Sequence, residues 1–164
     1  MKISELKTIC ENLIDTFHEA GKISIDLYKK GLNIEIKEDK SPVSNGDLKV
    51  NELITNKIKN ITPNLPIISE ETVDLNVKNS AKIFWLIDPI DGTKEYIAGK
   101  DEYTLNAALV INTIPVLGLV GAPKKNRLFF SYGPGESYLI EAGKREKLIV
   151  LKNNLKDKLL LCRV

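Results

Sequence analysis

Histidine is almost missing from this chain: His18 stands alone among 164 residues. Cysteine is nearly as scarce, with Cys10 and Cys162 far apart and in no CxxC pattern. Metal-binding histidines and cysteines come in groups, so His18 reads as a surface or boundary residue and not a ligand. The cysteines read as small apolar core thiols of a reducing compartment, not as a disulfide framework. An excess of charge is also lacking. Against 24 basic residues stand 22 acidic ones, and a formal net charge of +2 creates no field that would draw nucleic acid or a membrane surface. No run approaches the ~20 apolar residues of a membrane span. Met1-Lys2-Ile3-Ser4-Glu5 lacks the apolar stretch of a signal peptide. Internal repeats and low-complexity segments are absent as well. The expectation is a cytoplasmic protein without an integral membrane segment.

What is present suits a globular domain: 43% hydrophobic and 28% charged residues. A chain of this length can bury roughly 70% of the surface it exposes when unfolded. Ile3, Leu6, Ile9, Cys10, Leu13, Ile14, Phe17, Ala20, Leu27 and Tyr28 recur at helical spacing and predict one amphipathic helix over 4–30, capped at Gly31. Residues 33–37 alternate like a short strand, and 37–47 form a polar loop. Asp47 then stands as the N-cap of a second helix with Val50, Ile54, Ile58 and Ile61 on one face. Pro63 and Pro66 close that helix, and Pro66–Ser69 reads as a buried strand. Residues 72–82 read as a surface excursion. Two apolar runs, Tyr103–Ile111 and Pro115–Pro123, predict a hairpin of core strands, followed by strands at Arg127–Tyr132 and Ser137–Glu141. Leu148–Leu151 and Leu159–Val164 complete the apolar segments, the last running to the final residue, so the chain reads as cut short. The fold class expected is α+β, two early helices packed on a largely antiparallel sheet, in a single domain over 1–164.

Chemistry concentrates in Ile83-Phe84-Trp85-Leu86-Ile87-Asp88-Pro89-Ile90-Asp91-Gly92-Thr93-Lys94-Glu95. The five apolar residues predict a buried strand, ended by two turn signals, Asp-Pro and Asp-Gly. Carboxylate and carbonyl oxygens suit a hard cation such as Mg²⁺, and N–H groups in a tight turn suit a phosphate. Ile67-Ile68-Ser69-Glu70-Glu71 is a second acidic site of the same build, and the pair suggests a shared cation.

These residues carry a family resemblance. Ser69-Glu70-Glu71 followed by Asp88-Pro89-Ile90-Asp91-Gly92-Thr93 resembles the signature of the inositol monophosphatase superfamily of metal-dependent phosphatases. Ser41-Pro42-Val43-Ser44-Asn45-Gly46-Asp47 and Gly92-Thr93-Lys94-Glu95-Tyr96-Ile97 are most similar to its 3′(2′),5′-bisphosphate nucleotidase (CysQ) branch, as are Tyr103–Leu109 and Gly118–Pro123. The resemblance implies the N-terminal portion of a layered α/β phosphatase fold and a Mg²⁺-dependent phosphomonoesterase. The substrate it implies is a small phosphate monoester, 3′-phosphoadenosine 5′-phosphate, converted to AMP and phosphate. Inositol monophosphatase, or a non-catalytic remnant of a split gene, stands as the alternative.

It further implies that Glu70, Asp88 and the Ile90 carbonyl hold one metal, and that Asp88 and Asp91 hold a second. Gly92 and Thr93 would take phosphate oxygens, and Asp47 with Thr93 would orient water, with Glu71 in support. Two departures accompany it. The metal-binding Asp of a WDxAAG-like motif, expected from a C-terminal half, has no counterpart, which implies a homodimer or a separately encoded half as partner. Asn45-Gly46 also replaces the small Ala-rich sequence expected before Asp47.

Overall fold

A computed structural model describes residues 1–72 and 81–149. Its first helix, α1 (Ile3–Lys30), follows directly from the apolar periodicity: Leu6, Ile9, Cys10, Leu13, Phe17 and Ala20 are all buried on one face. At its start the Glu5 carboxylate accepts the Lys2 N–H at 2.8 Å. At its end Gly31 takes a positive φ and its N–H reaches the Tyr28 carbonyl.

Two short strands, β1 (Ile34–Ile36) and β2 (Pro42–Ser44), form a separate antiparallel hairpin. The sequence places Pro42–Ser44 in a loop, but the fold closes Pro42 onto Ile36 and Ser44 onto Ile34. The next helix, α2 (Asn45–Ile61), starts earlier than Asp47. Its N-cap is Ser44, whose hydroxyl accepts the Gly46 N–H at 3.1 Å. Asp47 stands three residues on and accepts from both the Ser44 N–H (2.8 Å) and the Ser44 hydroxyl (2.6 Å). The arrangement is a capping box, so Asp47 serves the cap from inside the helix.

The helices lie side by side on a seven-stranded sheet in the order β3 (Ile67–Ser69), β4 (Ile83–Asp91), β5 (Thr104–Ile111), β6 (Ile114–Ala122), β7 (Arg127–Ser131), β8 (Ser137–Glu141), β9 (Lys144–Lys147). Among the described residues only β3 and β4 run parallel, and the other strand pairs are antiparallel, as the α+β reading expects. Trp85, Ile87, Leu105, Leu109, Leu117 and Leu119 point toward α1 and α2 and are buried with Leu13, Ile54 and Ile58. The alternation is one-sided. Leu86, between Trp85 and Ile87, is 49% exposed and Val120 is 36% exposed, so the apolar run of β4 is not buried on both faces.

Three further boundaries differ from the sequence reading. The turn between β5 and β6 is two residues, Asn112 and Thr113, both at positive φ, as a primed hairpin turn demands. A polar strand, β9, pairs on the sheet edge after β8, where no apolar period announces it. Leu148 and Ile149 lie past it outside any strand, and the expected segments over 150–164, Cys162 included, fall outside the described residues, as does most of 72–82. Among the described residues, no helix is long and apolar enough to cross a membrane.

Candidate active site

β4 does not stop at Asp88-Pro89 but runs through to Asp91. Asp88 pairs with Asn106 and Asp91 with Thr104, so three steps on β4 oppose two on β5. Pro89, which has no N–H for the ladder, sits in this bulge. The extra residue has a geometric consequence. In a regular strand residues three apart point to opposite faces, whereas across this bulge Asp88 and Asp91 face partners two apart, on the same side. The bulge therefore gathers two carboxylates that a plain strand would separate.

Glu70 and Glu71 reach the same place from the neighbouring parallel strand. Ser69, at the end of β3, pairs with Ile87, one residue before Asp88. Its buried hydroxyl donates to the Asn51 side chain of α2 at 2.7 Å, which fixes where β3 ends and the single 3₁₀ turn Glu70–Thr72 begins. Glu70 stays half-exposed. Glu71, with a side chain 4% exposed, is held by Lys37 Nζ at 2.8 Å, and the same ammonium lies 3.7 Å from Glu70. Lys37 comes from the β1–β2 loop, and no sequence signal pointed to it.

Asp88 carries the strongest electrostatic signature. Among the described residues its Oδ1 is buried without a hydrogen-bond partner. Burial first, and then the negative charges of Glu70 and Asp91, push its carboxyl from 3.8 up to about 7. Burial likewise raises Glu71, with Lys37 opposing the shift.

At Gly92 the backbone turns through φ +91°, and a Cβ there would meet the Glu102 carbonyl at 2.8 Å, so only glycine fits. The short helix α3 (Thr93–Ile97) follows. The Thr93 hydroxyl is within hydrogen-bond reach of Asp47 Oδ1 (3.0 Å) and of the Ile90 carbonyl (3.1 Å). Asp47, fully buried, is thus tied to Thr93 across 46 residues of chain. Sequence reasoning missed Ser44, although Ser-x-x-Asp is itself a capping signature.

The donor set at Glu70, Asp88, Ile90 and Asp91 is all oxygen, as a hard cation requires, and the orphaned Asp88 Oδ1 is an acceptor with nothing to accept. Among the described residues, no three His, Cys, Asp or Glu side chains converge closely enough to make a closed metal centre. The residues fit a divalent cation in chemistry while forming an open and incomplete cage.

Residues 5–162 match the inositol monophosphatase family. The chain belongs to that family. Among curated relatives it is similar to the 3′(2′),5′-bisphosphate nucleotidase CysQ of Escherichia coli (strain K12), 34% identical over 134 residues, covering 80% of this chain and 54% of that protein. It is also 30% identical over 142 residues to the CysQ of Aggregatibacter actinomycetemcomitans, covering 85% of this chain and 53% of that one. Among solved structures, CysQ from Bacteroides thetaiotaomicron superimposes with a TM-score of 0.66 at 32% identity, over 86% of this chain and 52% of that one. An IMPase/NADP phosphatase complexed with Mg²⁺ and phosphate shares the fold at TM-score 0.73 and 18% identity, over 82% of this chain and 51% of that one. The chain spans about half the length of the relatives it matches.

Proposed function

We propose that the chain supplies the cation- and phosphate-binding part of a Mg²⁺-dependent phosphomonoesterase of the 3′(2′),5′-bisphosphate nucleotidase type. The observation that carries the reading is the buried, unpartnered Asp88 Oδ1 among like charges, beside the Thr93–Asp47 hydrogen bond. Burial first, and then the negative charges of Glu70 and Asp91, hold that carboxyl at about 7, and a bound cation would favour its ionised form.

In this reading Glu70, Asp88 and the Ile90 carbonyl would hold one Mg²⁺, and Asp88 with Asp91 a second. When bound, the cations offset phosphate charge, lower the pKa of water and stabilise the leaving oxygen. The chain's own residues do the positioning. Asp47 and the Ile90 carbonyl both accept from Thr93, so the one hydroxyl hydrogen is committed to them. The Thr93 oxygen then has lone pairs left to accept from a water, which fixes that water's orientation. The tight turn at Gly92 leaves the Gly92 and Thr93 N–H groups to take phosphate oxygens. Glu71 is committed to Lys37 and supports the site from behind.

The nucleotidase assignment rests on the 30–34% identity to CysQ relatives. The substrate's nucleoside part, and the further metal ligand expected from a WDxAAG-like motif, would be met by a C-terminal half carried by a partner or by a longer chain. The test is phosphate release from 3′-phosphoadenosine 5′-phosphate and, in parallel, from inositol 1-phosphate, with and without Mg²⁺. Each assay is run with the chain alone and with the C-terminal half of a CysQ relative added, beside an Asp88→Asn control. Mg²⁺-dependent release that favours the bisphosphonucleotide and is lost in the control supports the proposal. Release that survives chelation or Asp88→Asn overturns the site, and preference for the inositol ester overturns the substrate.

A further inference from the structure

Two residues that flank the Asp47–Thr93 contact meet in space. Gly46 stands directly before Asp47, and Tyr96 stands three residues after Thr93. A Cβ placed on Gly46 would lie 2.5 Å from the Tyr96 hydroxyl, 2.6 Å from its Cε1 and 2.9 Å from its Cζ. The Tyr96 ring thus occupies the space that any larger residue at 46 would claim.

The phenol cannot easily move aside. Its hydroxyl donates to the Ser24 carbonyl of α1 at 2.7 Å, and Tyr96 is buried. Its ring packs on Tyr103 at 4.8 Å between centroids and on Tyr28 at 6.2 Å. Tyr103 in turn shares a 2.9 Å hydrogen bond with the Ser24 hydroxyl. Two neighbouring rings and a buried serine hold Tyr96 in one place.

The geometry points to Gly46 and Tyr96 as a matched positioning pair that sets the approach of Asp47 to Thr93. Gly46 lets the first turn of α2 lie against the Tyr96 ring, and Tyr96 anchors α3, whose first residue is Thr93. The 3.0 Å bond from Thr93 to Asp47 is the product of that contact. A methyl at 46 would separate the helices by a few tenths of an ångström or more, because packed interiors transmit such strain. A hydrogen bond of 3.0 Å has little slack to absorb it. Neither Gly46 nor Tyr96 touches the reacting atoms, and only the roles of Asp47 and Thr93 rest on the proposed function.

The test is a double-mutant cycle between Asp47→Ala and Thr93→Val, read by urea unfolding in three backgrounds: parent, Gly46→Ala, and Gly46→Ala/Tyr96→Leu. In the parent the pair should couple by about tenfold in the unfolding equilibrium constant, about 1.4 kcal/mol. In Gly46→Ala the coupling should fall below about twofold, and removing the ring should restore most of it. A general loss of stability would not change the coupling, so a merely structural role is distinguished. Full coupling in Gly46→Ala, or a loss that Tyr96→Leu does not reverse, overturns the pairing. If Gly46→Ala does not fold, Gly46→Ala/Tyr96→Leu decides: a folded variant with most of the parent's coupling supports the pairing, and one that stays unfolded or folds without coupling refutes it. No substrate or metal enters this measurement, so failure of phosphate release leaves it standing.

Discussion

Replacing Asp88 by Asn should make the metal-free protein more stable above about pH 4, and most of all above about pH 7. The gap between an ordinary aspartate at 3.8 and the buried Asp88 at about 7 corresponds to a ceiling of about 4 kcal/mol at 1.36 kcal/mol per decade. The residue is only half-buried, so solvent screening reduces this to about 1–2 kcal/mol. The sign follows from proton binding. The folded protein holds a proton on Asp88 that the unfolded chain has lost between about pH 4 and 7, so stability falls as pH rises through that window. Above it the full penalty applies; below about pH 4 both states are neutral and none remains. The asparagine side chain carries no charge at any pH and escapes the penalty altogether.

In thermal unfolding with chelator at pH 8 the variant should therefore melt about 2–8 °C above the parent, given 2–4 °C per kcal/mol for a protein of this size. At pH 4 the two should coincide. Millimolar Mg²⁺ should raise the parent's midpoint at pH 8 and leave the variant's unmoved, because a ligand stabilises only the fold that binds it. A variant less stable than the parent at pH 8 in chelator, or an advantage equal at both pH values, would refute the charge-frustration argument.

Lys37→Met should destabilise by about 2–3 kcal/mol at pH 8, since it leaves Glu71 charged with its side chain nearly inaccessible. The loss should be smaller at pH 4 than at pH 8, because burial raises Glu71 and it takes up a proton more readily than an ordinary glutamate; paired urea titrations at the two pH values check this. Cys10 is fully buried, and burial pushes its thiol up to about 12, so it should resist alkylation by iodoacetamide at pH 8 in the native protein and react promptly in denaturant. Peptide mass spectrometry reads both states, and rapid native labelling would contradict the packing of α1.

How much of this was legible beforehand depends on the range of the signal. The α1 period and the β5–β6 hairpin are local patterns, and both elements form, the hairpin with a turn one residue shorter than expected and β4 running on past Asp88 to Asp91. Asp47 was legible as a helix-start residue but was placed one role too early, because Ser44 caps through a hydroxyl while Asp47 completes the box. What escaped were the contacts made across long stretches of chain. Lys37 on Glu71 spans 34 residues, Ser69 on Asn51 spans 18, and Tyr96 on Ser24 spans 72. No periodicity encodes them. The Asp88–Asp91 bulge lies between these cases. Asp-Pro was visible as a break, but a break read along one strand says only that pairing stops. Set against β5, the same proline marks a change of register, and that change turns both carboxylates to one side.

The bulge also explains why the site costs stability when no cation is bound. A β-strand that continued regularly would put Asp91 on the opposite side from Asp88 and leave Asp88 with one fewer negative neighbour. The fold instead gathers like charges and leaves Asp88 Oδ1 without a donor, two features that each cost stability in the absence of a cation. A chain under no demand but folding would lose this arrangement to a single Asp-to-Asn change, which the energetics above say is favourable at neutral pH and above. Asp88, Asp91 and Glu70 stand together at that cost, which supports the proposal that the cluster serves a cation rather than the sheet.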